Sequence, residues 1–492
     1  MLDSPGKAIA QNAAWLLVAT TGQKVIAFFA FTMAAGIVGR FVTGEYFYAV
    51  AVTSLFVVLG DLGMTPVVIR AIASGAEGSH RLFGAVLRAK IFLVPMAALC
   101  AVGFVLISGA SSVIVLTTVI AAFVMSADSV HLALYGALRG RQLLRYEALG
   151  MFIGQALTAI AAISAATSGW GAPGLAMALL VGSTWNVGWA WAQTRRNRVA
   201  PERPQRADFR MLARQALPFA LAGIFVKVYS YLDSLMLKAF HGEADVGTYA
   251  VAYKVTYAFQ FLPLVFTAAL FPAMSAVHAD GDKEKLQRVF AGALRLMAIV
   301  GAPLTAGIAA VASRFIPTVY GLDFLGSVAV LEVLPWVLLP IFLDFPIGSL
   351  LNATHRAHLK TGAMGATMVL NAVLNAFLIP LYGPVGAAWA GVGSFWFLLF
   401  VGVFFTWKEL PSLRWFGWLL ARSGMVAGAI WVAVREPGAI MPFPLAVLFG
   451  AAVGVIALLV TRLLTLQDVT IAWQWLMRRV KGPDPIDEEA HA

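Results

Sequence analysis

QNAAWLLVATTGQKV (residues 11–25) and QALPFALAGIFVKVY (residues 215–229) are the stretches from which the fold can be read. Slid by about 203 residues, the first falls on the second and Lys24 lands on Lys227. Each lysine interrupts a long apolar run. A lysine at the centre of a membrane helix costs about 2.5–3.5 kcal/mol on insertion scales, so two of them at matching places call for a common reason.

Outward from these stretches the correspondence continues. GEYFYAVAV (44–52) matches DVGTYAVAY (245–253), which sets Tyr48 on Tyr249. GWGAPGLAMALLVGSTW (169–185) matches LYGPVGAAWAGVGSFW (381–396), and ALRGR (137–141) matches NATHR (352–356). Four matches in the same order at similar offsets define an internal duplication.

Composition gives the class. Of 492 residues, 60% are hydrophobic and 12% charged, with a mean hydropathy of +0.83. A soluble chain carries about a quarter charged residues. Apolar runs long enough to cross a bilayer fall at 13–37, 45–69, 84–108, 113–137, 148–168, 173–192, 215–237, 247–271, 288–311, 328–350, 361–380, 385–406, 414–434 and 442–463. The expected fold is therefore an all-α polytopic membrane protein of about 14 helices. Two pseudo-symmetric six-helix lobes surround a central cavity, and two further helices follow. The expected boundaries are 1–192 for the first lobe, 193–214 for an arginine-rich cytoplasmic linker, 215–407 for the second lobe, 408–465 for the two extra helices and 466–492 for an interfacial helix and tail. Six helices per lobe give both repeats the same orientation, the plan of transporters with parallel repeats.

The net charge of +11 invites a nucleic-acid reading. Topology accounts for it instead. With a cytoplasmic N-terminus, the inner segments carry Arg195, Arg196, Arg198, Arg203, Arg206, Arg210 and Arg214, then Arg139, Arg141 and Arg145, then Lys283, Lys285 and Arg288. The outer loops are nearly free of Lys and Arg, with Arg40, Arg314 and Arg435 the main exceptions, an asymmetry that the positive-inside rule predicts. The lone Cys100 excludes an intramolecular disulfide and reads as a small core hydrophobe. The N-terminus shows no cleavable signal pattern, so the first helix is expected to stay as an anchor. Leu466, Val469, Trp473, Leu476 and Val480 fall at helical spacing beside Arg478, Arg479 and Lys481, which suits a helix lying on the inner surface.

Polar groups inside the spans suggest a lined cavity. Lys227, Ser230, Tyr231 and Ser234 share one helix face, as do Tyr253, Tyr257 and Gln260, with Lys254 alongside. Lys24, Lys227 and Lys254 in one cavity predict an anionic ligand, most naturally a phosphate or pyrophosphate, which lysine binds as a point charge. Tyr231 and Tyr257 offer ring faces and hydroxyls to sugars. Asp128 and His131 share a face, where a titrating pair would carry protons or bind a coupling ion, or serve as a hydrogen-bonded structural pair. Asp61, Asp233 and Asp344 are candidate counter-ions for the lysines, which would reduce those lysines to packing elements. No Walker loop, HExxH, metal-spaced Cys/His cluster or G-x-S-x-G elbow is present, so neither an enzyme nor a cofactor or metal site is expected.

LDSLMLKAFHGEADVGTYAVAYKV (232–255) resembles the seventh-to-eighth helix junction of the polysaccharide transporter family, the O-antigen repeat-unit flippases. These belong to the multidrug/oligosaccharidyl-lipid/polysaccharide exporter superfamily. LFVVLGDLGMTPVVIRAIA (55–73), PIGSLLNATHR (346–356) and NAVLNAFLIPLYGPVGAAWA (371–390) resemble further parts of that family, so the likeness spans about residues 8–410. It implies a two-lobed bundle in the bacterial inner membrane, both termini cytoplasmic, that flips an undecaprenyl-diphosphate-linked oligosaccharide to the periplasmic leaflet by alternating access. The implied partners are that glycan lipid, the membrane lipid, H+ or Na+ if transport is coupled, and polysaccharide polymerase and chain-length proteins. A lipid II flippase and a multidrug antiporter of the same superfamily are the alternatives, with a membrane glycosyltransferase or polymerase from another class. An antiporter of organic cations would suit an acidic cavity, and the repeated charges here are positive.

Overall fold

The computed structural model describes residues 5–75, 77–435 and 441–465. These residues are almost wholly helical and contain no strand. In chain order the helices are α1 (Pro5–Asp61), α2 (Met64–Ala73), α3 (Ser79–Ile107), α4 (Ser112–Gly140), α5 (Leu144–Thr167), α6 (Gly171–Arg196), α7 (Arg206–Phe240), α8 (Glu243–Tyr257) and α9 (Phe261–Ala279). They continue with α10 (Lys283–Val319), α11 (Gly326–Val333), α12 (Leu338–Ala353), α13 (Ala357–Thr406), α14 (Leu413–Arg435) and α15 (Phe443–Val460). The surface helix and tail expected over 466–492 lie outside the described residues.

Among the described residues, ten helical stretches are long and apolar enough to cross a membrane. Two of them, Ala19–Asp61 and Ala357–Glu409, have 43 and 53 residues. At 1.5 Å per residue each would be about 65–80 Å long if straight, roughly twice a hydrocarbon core or more. Each instead breaks once, at Gly39 (φ 79°) and at Gly383 (φ 53°), and so supplies two crossings. The more polar α6 and α7, of 26 and 35 residues, are also long enough to span. The expected 14 crossings are thereby accounted for.

The duplication is written in the backbone as well as in the side chains. Left-handed residues recur in pairs: Gly39 and Gly242, Gly78 and Gly281, Gly109 and Gly321, Gln142 and His355, Gly171 and Gly383. The first two pairs lie 203 residues apart and the last three 212 or 213. The step arises between α3, with 29 residues, and its counterpart α10, with 37. Gly39 (φ 79°, ψ 172°) and Gly242 (φ 96°, ψ −174°) share a conformation that is essentially restricted to glycine. Lys24 and Lys227 each lie fifteen residues before their glycine. At that register Tyr249 corresponds to Tyr46, two residues from the sequence match with Tyr48.

The chain packs as two compact units. Among the described residues, the first comprises 5–75, 77–265, 315–334 and 358–398. Lipid offers no hydrophobic drive between helices, so close approach of small residues and interhelical hydrogen bonds hold such bundles. The approach is closest where the second half of α1 meets α8. A Cβ on Gly44 would lie 1.8 Å from the Glu243 carbonyl oxygen, and one on Gly247 would lie 1.9 Å from that of Arg40. Since Arg40 and Glu243 are also 203 residues apart, the contact is reciprocal, as a pseudo-twofold relation between halves requires. Beside it the Arg40 backbone amide donates to Asp323 Oδ2 at 2.7 Å, and Thr32 shares a buried hydrogen bond with the Tyr320 hydroxyl.

Among the described residues, the second unit comprises 266–314, 335–357, 399–435 and 441–465. Gly301 on α10 receives Phe342 of α12, and Gly450 on α15 receives Val434 of α14. Arg356 donates to Glu409 at 2.6 Å and to the Phe405 carbonyl, holding the start of α13 to its end. Arg314 donates to the Val434 carbonyl at 3.2 Å.

Cys100 departs from expectation. It is exposed on α3, in line with the exposed Met96 and Leu99, rather than buried in the core. In a membrane helix the outward face is as apolar as the inward one, so hydropathy does not distinguish them.

Candidate functional site

A cavity of about 820 Å³ lies within the first unit. It is lined by α1, α4, α5 and α6 of the first half and by α7 of the second. Its polar lining includes Gln23, Asp61, Asp128, Gln155 and Lys227. A second cavity of about 180 Å³ is lined by Phe31, Tyr46 and Lys254, and shares Gln155, Thr158 and Leu179 with the first. The two are therefore adjacent compartments along one wall.

The three lysines take distinct places around this space. Lys227 lines the large cavity, its Nζ 5.4 Å from the ring centre of Tyr231. Lys254 opens on the smaller one, with Nζ 5.4 Å from the Phe31 ring and 5.8 Å from the Phe47 ring. These are cation–π distances. Lys24 is exposed, next to Gln23 of the large cavity and one turn before Ala27 of the small one, and it lies within coulombic reach of Lys254. Among the described residues, none of the three forms an ion pair with a carboxylate.

The carboxylates are engaged elsewhere. Asp61, at the end of α1, accepts from Lys90 Nζ at 2.7 Å and from Thr65 at 2.6 Å. Lys90, on α3, also donates to Ser129 at 2.8 Å, and its side chain is 1% exposed. Asp128 accepts from Ser183 of α6 at 2.6 Å and lies 3.5 Å from His131 Nδ1. The His131 ring meets the edge of Tyr135, whose hydroxyl donates to Asn186 at 2.7 Å.

Tyr257 and Asp233 line a separate, smaller pocket. Asp233 is buried and accepts from the Tyr249 hydroxyl. Tyr249, Tyr253 and Tyr257 continue as a ladder of rings, the last two 4.3 Å apart between centres. This cluster encloses only about 20 Å³, against Asn371 and Ser394 of α13. Asp344 lies half-buried on α12 in the second unit.

Lys90 carries a role that the sequence reading passed over. Its signal is of the same kind as that of Lys24, an ammonium within an apolar run. It has no counterpart in the other half, where Ala293 stands 203 residues on. The aromatic walls Phe31 and Phe47 gave no sequence signal, being phenylalanines among many.

The fold is shared with structurally characterised membrane transporters. The chain is similar to the lipid II flippase MurJ in its inward closed conformation (TM-score 0.73, 15% identity, covering 94% of this chain and 99% of that one). It is likewise similar to an inward-facing multidrug resistance MATE transporter of the MOP superfamily (TM-score 0.64, 16% identity, 78% of this chain and 95% of that one). In sequence it is 23% identical over 274 residues to the probable low-salt glycan biosynthesis flippase Agl15 of Haloferax volcanii. That match spans 54% of this chain and 56% of the relative, about half the length of each. The family model described as polysaccharide biosynthesis protein matches residues 9–278, and the MatE model residues 218–377. With more than half its length matched, the chain belongs to the polysaccharide biosynthesis protein family.

Proposed function

We propose that this protein is a flippase that moves an undecaprenyl-diphosphate-linked oligosaccharide between membrane leaflets by alternating access, and that it is not an enzyme. The observation that carries the reading is the set of three lysines around adjoining cavities, none paired with a carboxylate among the described residues. Asp61 is occupied by Lys90, and Asp128 is the remaining carboxylate of the large cavity. The local balance is thus positive, which suits a diphosphate and disfavours the organic cations of an antiporter. In this reading Lys24, Lys227 and Lys254 hold the diphosphate, Tyr231 packs beside the sugars, and the lipid tail stays in the bilayer.

The lobes run over 1–192 and 215–407, joined by 193–214, with two added helices over 408–465. Both termini face the cytoplasm and the membrane is the bacterial inner membrane, which puts the arginine-rich linker on the side that the positive-inside rule favours. H+ or Na+ acting through Asp128 and His131 is the proposed coupling ion, and polymerase and chain-length proteins are the proposed partners.

Two measurements test this. Deleting the gene is expected to leave a completed lipid-linked repeat unit facing the cytoplasm, and its absence overturns the reading. Lys24→Ala with Lys227→Ala is expected to lower glycan export at least about tenfold, the worth of one charge-assisted hydrogen bond or more, while the chain still inserts. Full export by that double variant overturns the cationic cavity.

A further inference from the structure

Away from these cavities, the second unit holds a pocket of about 250 Å³ lined by Arg295, Arg422 and Arg462 together with Trp415 and Trp418. Arg295 comes from α10, Arg422 and the tryptophans from α14, and Arg462 from the turn that closes α15. Among the described residues no Asp or Glu lines it, and neither Arg422 nor Arg462 has an ion pair. Arg295 and Arg422 fall inside apolar spans, where an ionisable side chain marks a ligand or a partner.

Two further observations show that the pocket is built. Arg295 Nε donates to the Leu463 carbonyl at 2.8 Å, tying α10 to the end of α15 at the pocket wall. Arg462 has φ 56°, left-handed, at the position after the helix cap where glycine is the usual residue. The chain thus keeps an arginine where its backbone favours a residue without a side chain. The N-terminal end of α14 adds the positive pole of a helix dipole, and the C-terminal end of α15 opposes it. Arg422 and Arg462, without an ion pair among the described residues, therefore set the sign.

We infer that this pocket binds a phosphate group, and that the phosphate is the headgroup of an anionic phospholipid. Planar guanidinium forks match phosphate oxygens in pairs, and Trp415 and Trp418 fit the interfacial level where headgroups meet acyl chains. Basic pockets between membrane helices are known recognition sites for such headgroups. A lipid bound here joins α10, α14 and α15 without entering the lysine-lined cavities, and the inference stands whether or not the proposed substrate is right.

The test uses the purified full-length chain stripped of lipid, with thermal unfolding and native mass spectrometry as readouts. Phosphatidylglycerol is expected to bind at least about tenfold more tightly than phosphatidylcholine, and Arg422→Gln with Arg462→Gln to weaken it by a similar factor. Arg295 is left intact because it also holds the Leu463 carbonyl. Arg462→Gln alone, at an exposed helix end, serves if the double variant does not fold. Inorganic phosphate binding as well as phosphatidylglycerol would keep the phosphate site and assign it to the free ion. Equal binding of the two phospholipids by the unaltered chain, or unchanged phosphatidylglycerol binding by the variants, overturns the inference.

Discussion

Two carboxylate-bearing regions of the first unit use similar residues to opposite ends. Around Asp61 and Asp128 the helices stand back, leaving about 820 Å³ that a ligand can enter. Around Asp233 the helices close, and Tyr249, Tyr253, Tyr257 and Asn371 fill what Asp233 does not, leaving about 20 Å³. In the first region Lys227 and a 40% exposed Asp128 face open space. In the second, the Tyr249 hydroxyl donates to Asp233 and the Asn371 amide to Ser394, the pairing that burial of polar groups favours. A polar residue inside a membrane span is therefore not by itself a ligand site. The space left beside it decides.

Asp61 lies on the boundary of this contrast, lining the open cavity while neutralising the buried Lys90. Asp61→Asn leaves that ammonium, 1% exposed, without its counter-ion. The expected loss is about 3–5 kcal/mol, seen as a large drop in the melting temperature of the solubilised protein. Lys90→Met added to Asp61→Asn is expected to restore most of it. If Asp61→Asn is as stable as the parent chain, the pair is not structural and Asp61 belongs with the ligand-facing groups.

The closed cluster is expected to lose stability and keep function. Tyr249→Phe removes the hydroxyl that Asp233 accepts from, at a cost of about 1.5–3 kcal/mol in unfolding free energy. Glycan export per folded molecule should be unchanged. Export lost at unchanged stability would make the cluster a site and remove the contrast with the open cavity.

The spans and the duplication could be read from apolar run lengths and the spacing of matched residues, because membrane helices leave the bilayer at nearly fixed intervals. Pairing across helices could not. Nothing along the chain says that Asp61 meets Lys90 rather than Lys24, since the partners are 29 residues apart and the choice depends on how α1 and α3 rotate. Tyr231 and Tyr257 look alike on periodicity, yet one lies beside Lys227 and the other packs at a tilt against Tyr253. The exposure of Cys100 is illegible in the sequence for a similar reason: the lipid-facing side of α3 is as apolar as its core side. What the sequence did carry was the equivalence of Lys24 and Lys227, because both are measured from the same glycine break.

The smallest stability effect is expected at Asp128, and it is the one that probes the open cavity most finely. Its carboxylate is 40% exposed, accepts from Ser183 at 2.6 Å and lies 3.5 Å from His131. Asp128→Asn keeps an oxygen for Ser183 and removes only the charge, so stability should change by no more than about 0.5 kcal/mol. If the carboxylate and imidazole carry a proton or sodium ion, the response of glycan export to pH and to sodium should flatten in this variant. The imidazole then loses the charge of Asp128, with Glu147 and Lys90 the charged groups left near it. Ser183→Ala serves as the control, since it removes the hydrogen bond and leaves the charge. A dependence on pH and sodium unchanged in Asp128→Asn would class Asp128 with Asp233, as a carboxylate held for packing despite the space beside it.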